Sequence, residues 1–291
     1  MGHASNCRSA ICVGWAEDQG WRDEMEDGFV FVDCFGAKRN SAFFAIYDGH
    51  GGRQCVDYVT QHLHDNLLVE LQQPGTTVPD AFVRCFASTD ANVWNSGITQ
   101  SGCTACCCLL REEFNEDGLM SKIIYTAHVG DARGVLCRGG VAVRLTSQSD
   151  HKATDPDEQQ RVREAGGHIL NERVNGMLAI SRALGDHQFK APTMQQDIVS
   201  NVPDITSTLL TDKDMFVIVA CDGLWDVVDD QQAVNIVLEG IRELIPQLRD
   251  REDPVSPQQR KQMGEVLARM LVEEALARRT SDNVSCLMLF P

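Results

Sequence analysis

Short apolar runs punctuate the chain at Ile11–Ala16, Phe29–Phe35, Ala42–Tyr47, Thr104–Leu110, Ile123–Val129, Gly134–Cys137, Val141–Leu145, Phe216–Ala220 and Val284–Phe290. Each has the length of a strand rather than a helix, and many are bounded by the turn formers Gly, Asp or Asn. A second pattern has helical spacing. It runs through Val56, Val59, Leu63, Leu67 and Leu71, and again through Met263, Val266, Leu267, Met270 and Leu271, ending near Arg278-Arg279. Stripes of this kind face a core. The charged stretch Arg249–Gln259, which contains Pro254 and Pro257, reads as a loop between two helices. Strand runs at both ends with helices between them do not follow βαβ alternation. The predicted class is therefore α+β, built on antiparallel sheets layered with helices. We find no internal repeat or low-complexity tract.

Composition narrows the setting. The chain has 291 residues, 43% of them hydrophobic, so it is globular and large enough for one large domain or two small ones. Its 42 acids against 26 bases give a net charge of −16. Such a surface repels nucleic-acid backbones and anionic membranes, so neither is the expected partner. No apolar run approaches the ~18 residues that a membrane helix needs. The 12 cysteines are scattered rather than framed, and a chain this long needs no disulfide staples. We expect a reduced, intracellular setting, cytoplasmic, nuclear or both. Cys103 and Cys106 form a lone CxxC in a strand-like run, where residues three apart point to opposite faces; it is read as core rather than as a redox or zinc site. No cysteine is followed six positions on by arginine, which excludes the CxxxxxR phosphate loop. Met1-Gly2 permits myristoylation, with Cys7 as a second acyl position and membrane association as its consequence. Asn6 stands where Ser or Thr is preferred, and a plain solvated N-terminus fits equally well.

The informative chemistry sits where apolar strands end. Phe43–Tyr47 runs into Asp48-Gly49-His50, Phe216–Cys221 into Asp222-Gly223, and Ile123–Val129 into Gly130-Asp131. Glu26 and Asp27 precede the run at Phe29, and Asp282-Asn283 precedes the last one. One Asp at a strand end is normally a turn former. Several gathered at a common sheet edge repel one another unless cations neutralise them. Ligands rich in oxygen and free of sulfur suit Mg²⁺ or Mn²⁺ rather than zinc or copper. Two such ions about 4 Å apart clamp the attacking and leaving oxygens of a displacement at phosphorus. Arg22 is placed to grip the phosphate and His50 to protonate the leaving alcohol.

Taken in order, these residues resemble the metal-dependent protein serine/threonine phosphatases of type 2C. The resemblance is carried by Gly20-Trp21-Arg22, Met25-Glu26-Asp27, Phe44–Gly52, Ser101–Ala105, Val129–Gly134 and Asp150-His151-Lys152. It continues through Ala165-Gly166-Gly167, Val174-Asn175-Gly176, Leu178–Asp186, Ala220–Asp226 and Ser281-Asp282-Asn283. It implies a four-layer α-β-β-α sandwich, two antiparallel sheets flanked by helices, with a tail at residues 1–10 and one catalytic domain over 11–291. It implies two Mg²⁺ or Mn²⁺ ions, with Asp48 bridging both, the Gly49 carbonyl a ligand, and Asp222 and Asp282 binding one ion directly. Glu26 would act through metal-bound water with Asp27 its neighbour, and Asp131 and Asp226 with Asp222 would form a weaker third site. Arg22 matches the phosphate-gripping residue, His50 the general acid, and Asp186 a supporting position with a ligand role left open.

Three departures stand out: Gly28 where Ala or Ser is usual, His187-Gln188-Phe189 where some members carry a further acid, and a variable flap over Lys190–Asn201. The implied activity is hydrolysis of phosphoserine and phosphothreonine in proteins by a hydroxide bridging two ions, without a phosphoenzyme. A pseudophosphatase that binds phosphoproteins as a scaffold is the alternative, disfavoured because every acid of the binuclear pair is present. A calcineurin-like metallophosphoesterase fails, because no Gly-Asn-His-Glu/Asp segment is present.

Overall fold

The computed structural model describes residues 11–114, 118–248 and 257–291. The tail at 1–10, with Gly2 and Cys7, and residues 249–256 of the expected loop lie outside them. Strands β1 (Cys12–Asp18), β2 (Gly28–Asp33), β3 (Ala42–Tyr47) and β4 (Gly49–His50) lead into helices α1 (Gln54–Leu71) and α2 (Val78–Asn95). Next come β5 (Gly102–Cys103), β6 (Ala105–Phe114), β7 (Met120–Val129), β8 (Arg133–Arg138) and β9 (Val141–Arg144). Helix α3 (Pro156–Glu164) is followed by β10 (Ile169–Leu170), β11 (Arg173–Val174), β12 (Leu184–Gly185), β13 (Asp204–Leu209) and β14 (Asp214–Ala220). Helices α4 (Asp222–Trp225), α5 (Asp230–Leu248) and α6 (Pro257–Ala277) precede β15 (Val284–Phe290).

Two five-stranded sheets, ordered β1-β15-β14-β8-β9 and β13-β7-β6-β3-β2, pair antiparallel throughout. Strand alternation explains why their apolar runs are continuous. In β3, Phe43, Ala45 and Tyr47 pack beneath α1 and α2, whereas Phe44 and Ile46 point between the sheets. In β14, Phe216, Ile218 and Ala220 meet α5 and α6, whereas Val217 and Val219 meet Phe44 and Ile46 across the sandwich. Both faces of each strand are buried, so neither shows a polar alternate. The result is the α-β-β-α sandwich that the resemblance implied. The stripes on α1 and α6 supply its outer layers: Val56, Val59, Leu63 and Leu67 are buried, as are Met263, Leu267 and Leu271, whereas Val266, expected on the core face, is exposed.

The structure corrects several local expectations. Helix α6 opens at Pro257, so residues 257–259 belong to it; proline is tolerated in a first turn because that N–H has no intrahelical partner. Phe35 leaves the strand for a short helical turn over Phe35–Ala37. Helix α2, capped by the Thr77 hydroxyl on Asp80 N–H, and edge strand β13 carried patterns too polar to single out. Cys103 and Cys106 are free and buried on opposite faces, Cys103 beneath the helices and Cys106 between the sheets.

Residues from α3 to Asn201 form a flap with a small core of its own, including Val162, Val174, Ile180 and Phe189. Buried Glu158 ties it together, accepting from Arg161 Nε at 2.8 Å, Ser181 Oγ at 2.6 Å and Arg182 Nε at 2.9 Å. Burial alone would raise its pKa, but these donors bring it down to about 2. An unfolded glutamate titrates near about 4.3, so this stabilisation is present above that pH and drains away as pH falls toward 2. Glu158→Ala should therefore cost about 3 kcal/mol in urea unfolding at neutral pH. The gap from wild type should shrink toward about pH 3. A gap independent of pH would mean that packing rather than charge holds the flap.

Candidate active site

The strand register brings the acids to one edge. Tyr47 pairs with Gly28, so Asp48 leaves β3 beside Glu26 and Asp27 entering β2. Ala220 pairs with Cys286, so Asp222 leaves β14 beside Asp282 entering β15. Asp131 sits in the turn that carries β7 of one sheet into β8 of the other. Oxygens of Asp48, Asp131 and Asp222 lie within 4.8 Å of one another. Close backbone approach at the Asp-Gly pairs makes this possible. A Cβ at Gly49 would collide with the Glu26 carbonyl, and one at Gly223 with the Asn283 carbonyl.

Arg22, Asp48, Gly49, His50, Asp131, Asp222 and Asp282 line a single cleft of about 370 Å³. The other expected residues stand around it. Glu26 is turned aside, its Oε1 accepting from Gly52 N–H at 2.5 Å. Asp27 is buried behind the edge. Asp226 is exposed and paired with Lys152 Nζ at 2.6 Å, and the same ammonium lies 3.6 Å from Asp131 Oδ2. Two of the three acids expected to hold a weaker third ion, Asp131 and Asp226, are thus already bridged by a side-chain cation. Arg22 Nη2 donates to Asp282 Oδ2 at 2.6 Å and Arg22 Nε to the Ser281 carbonyl at 3.0 Å.

The cluster is electrostatically incomplete. Burial, reinforced by Asp222, pushes Asp48 well above the carboxylate range. Burial and the neighbouring acids carry Asp27 and Asp131 up to about 7 and Asp222 to about 6. Asp27 Oδ2 and Asp222 Oδ1 are buried without a hydrogen-bond partner. Unmatched oxygens among crowded carboxylates are what a hard divalent cation satisfies, so the residues fit Mg²⁺ or Mn²⁺. Between the ordinary carboxylate pKa near about 4 and these raised values, the native state holds more protons than the unfolded chain. Without cations, stability should therefore fall as pH rises through that window. Mn²⁺ should raise the Tm more at about pH 8 than at about pH 5, and an equal rise at both would oppose this account.

His50 Nε2 lies 2.7 Å from Asp186 Oδ2. Burial would lower the His50 pKa, but the Asp186 charge and hydrogen bond, aided by Asp131 and Glu26, bring it above the ordinary imidazole value. Asp186 is fully buried, in a left-handed conformation with φ 54°, and its Oδ1 has no partner. From the sequence it was a supporting position with a ligand role left open. Arg173, Leu178, Ala179 and Ile180 of the flap and Thr104 also line the cleft. Lys152, Thr104 and Leu178–Ile180 fall inside the matching motifs, but their chemistry is visible only once the flap is folded over the edge.

A second group, His128, His151 and Asp204, has ligand atoms within 4.8 Å of one another. Its tautomers point elsewhere. Ser147 N–H donates to His128 Nε2 at 3.1 Å and Gly130 N–H to His151 Nδ1 at 3.1 Å. Each of those nitrogens already accepts a hydrogen bond within the protein, and His151 Nε2 lies 3.2 Å from Asp204 Oδ2. The stacked rings, 4.5 Å apart, are a structural pair.

A fold of two sheets between helix layers, with crowded acids at one edge, fits a metal-assisted hydrolase. The profile of the family described as Protein phosphatase 2C matches residues 12–284. The chain is 38% identical over 282 residues to "Protein phosphatase 2C homolog 1" of Schizosaccharomyces pombe, covering 95% of this chain and 72% of that one. It is 37% identical over 292 residues to the protein of the same name in Saccharomyces cerevisiae, covering 96% and 92%. The solved structure titled "Crystal structure of serine-threonine phosphatase 2C from Toxoplasma gondii" shares the fold. It has a TM-score of 0.73 and 20% identity, over 96% of this chain and 94% of that one. The chain belongs to the protein phosphatase 2C family and is a metal-dependent protein serine/threonine phosphatase.

Proposed function

We propose that the cleft hydrolyses phosphoserine and phosphothreonine by direct in-line attack of water on phosphorus, without a phosphoenzyme. The convergence of Asp48, Asp131 and Asp222 beside Arg22 and His50 is the observation that carries this reading. When bound, a pair of Mg²⁺ or Mn²⁺ ions supplies the activated water and neutralises charge on the phosphoryl oxygens. Asp48, the Gly49 carbonyl, Asp222 and Asp282 would hold them directly, with Glu26 and Asp27 behind. A weaker third ion at Asp131, Asp226 and Asp222 would have to displace Lys152. Arg22 exchanges its pairing with Asp282 for two oxygens of the phosphate, a fork that fits a tetrahedral anion.

His50 donates the proton that the departing serine or threonine oxygen requires. With Nε2 engaged by Asp186, the proton for the substrate sits on Nδ1. Asp186 holds its pKa above the ordinary imidazole value, which favours the acid form. An intracellular location, with membrane association where Gly2 is acylated, completes the proposal.

Phosphate release from a panel of phosphopeptides, with Mn²⁺ and with chelator, tests it. Turnover of phosphoserine and phosphothreonine peptides that is lost in chelator is expected. Preference for phosphotyrosine would overturn the substrate class, and binding without turnover would favour a scaffold.

A further inference from the structure

Glu26 and Asp27 are held from two sides. Glu26 lies in an irregular segment before β2, where no strand ladder fixes the backbone. On one side Asn283 Oδ1 accepts from Glu26 N–H at 2.8 Å, and Asn283 Nδ2 donates to the Gln19 and Glu24 carbonyls at 2.8 and 3.0 Å. On the other side stands the beginning of α1. Gly52 N–H reaches the Glu26 carboxylate at 2.5 Å, and the next residue is Arg53.

Arg53 Nη1 donates to the Met25 carbonyl at 2.5 Å and the Asp27 carbonyl at 3.0 Å, the two carbonyls flanking Glu26. Its Nε and Nη2 both donate to Asp57 Oδ1, at 3.2 and 3.0 Å, one turn further along α1. Arg53 is the N-cap residue of α1 but makes no side-chain cap. Its guanidinium is spent on the acidic segment instead. The planar fork is rigid in the way this bridge needs, one edge on Asp57 and the opposite nitrogen on two carbonyls. The recurring motif that marks the family stops at Gly52, so nothing in the sequence assigned Arg53 a role.

We propose that Arg53 is a positioning residue that sets the divalent-cation affinity of the site by clamping the backbone on both sides of Glu26. This rests on the reading that cations bind at this edge. Groups that orient a ligand without touching the metal commonly alter affinity by about 10- to 100-fold. The opposite effect is the natural rival. Arg53 is a cation near a cation site, and removing its charge alone would tighten metal binding by relieving repulsion.

Isothermal titration of the full chain with Mn²⁺ separates these, using Arg53→Lys, which keeps the charge but loses the fork, and Arg53→Met, which loses both. We expect both variants to bind Mn²⁺ about 10-fold more weakly, with turnover recovering as Mn²⁺ is raised. Wild-type affinity in Arg53→Lys, or tighter binding in Arg53→Met, overturns the clamp. So does a lower Tm in chelator with unchanged Mn²⁺ affinity, which marks a purely structural contact. If Arg53→Met does not fold, Arg53→Lys decides alone. Failure of the wild type to bind Mn²⁺ would overturn the cation reading itself, and is seen in the same series before any variant is compared.

Discussion

Asp48→Asn should lower kcat for phosphopeptide hydrolysis by at least about 10³-fold while leaving the chelated protein as stable as wild type, or more so. Asp48 ends β3 at the point where both sheets deliver their acids, and its carboxyl is held above its ordinary range by burial and by Asp222. A group whose native pKa is raised opposes folding once it ionises, so the amide relieves the native state at neutral pH. The same change removes a central anion of the cluster proposed to hold the divalent cations. Mn²⁺ should then no longer raise the Tm, since a ligand stabilises only through its affinity for the native state. Calorimetry with and without Mn²⁺, beside a phosphate-release assay, reads all three effects. Retained turnover would count against the role of Asp48. Loss of turnover with a lowered chelated Tm would mean that the residue is structural.

The second large effect is Asp186→Asn. An asparagine can still accept a hydrogen bond from His50 Nε2, so the ring keeps its orientation but loses the carboxylate that stabilises the protonated form. General acid catalysis is worth about 10²–10⁴-fold, and we expect about 10² to be lost for a phosphoserine peptide, whose alkoxide must be protonated as it leaves. Hydrolysis of p-nitrophenyl phosphate should fall far less, because p-nitrophenolate departs without a proton. The ratio of the two losses is the readout. Equal losses on both substrates would show that Asp186 supports packing or cation binding rather than the acid. The buried, unpartnered Oδ1 of Asp186 already suggests a residue kept for function, since an unmatched buried oxygen costs stability.

Much of the framework was legible because it depends on local periodicity. Ala42–Tyr47 and Val284–Phe290 are strands at the residues where their apolar runs lie, since both faces of each are buried and no polar alternate blurs the ends. Elements with mixed faces were harder. Helix α2 carries Thr89 and Asp90 on its buried side, where Asp90 serves Lys190 Nζ at 2.9 Å and Asn201 Nδ2 at 2.7 Å from the flap. Its polarity is a tertiary requirement, and no stripe announces it. Strand β13 is an edge strand with exposed alternates, and β4, β5 and β12 are two-residue pairings that exist only because distant segments meet.

The acids themselves, their spacing from strand ends and the order of the family motifs are properties of the linear chain, as are Arg22 and His50 beside them. Those features suffice for the family and place acids at a sheet edge, because a residue at the end of a core strand must emerge there. Which acids share a cleft, which of them Lys152 bridges, and which partner orients His50 or braces Glu26 depend on contacts between residues far apart in the chain. Antiparallel register and close glycine packing decide those contacts to within an ångström, and neither is encoded in any local pattern.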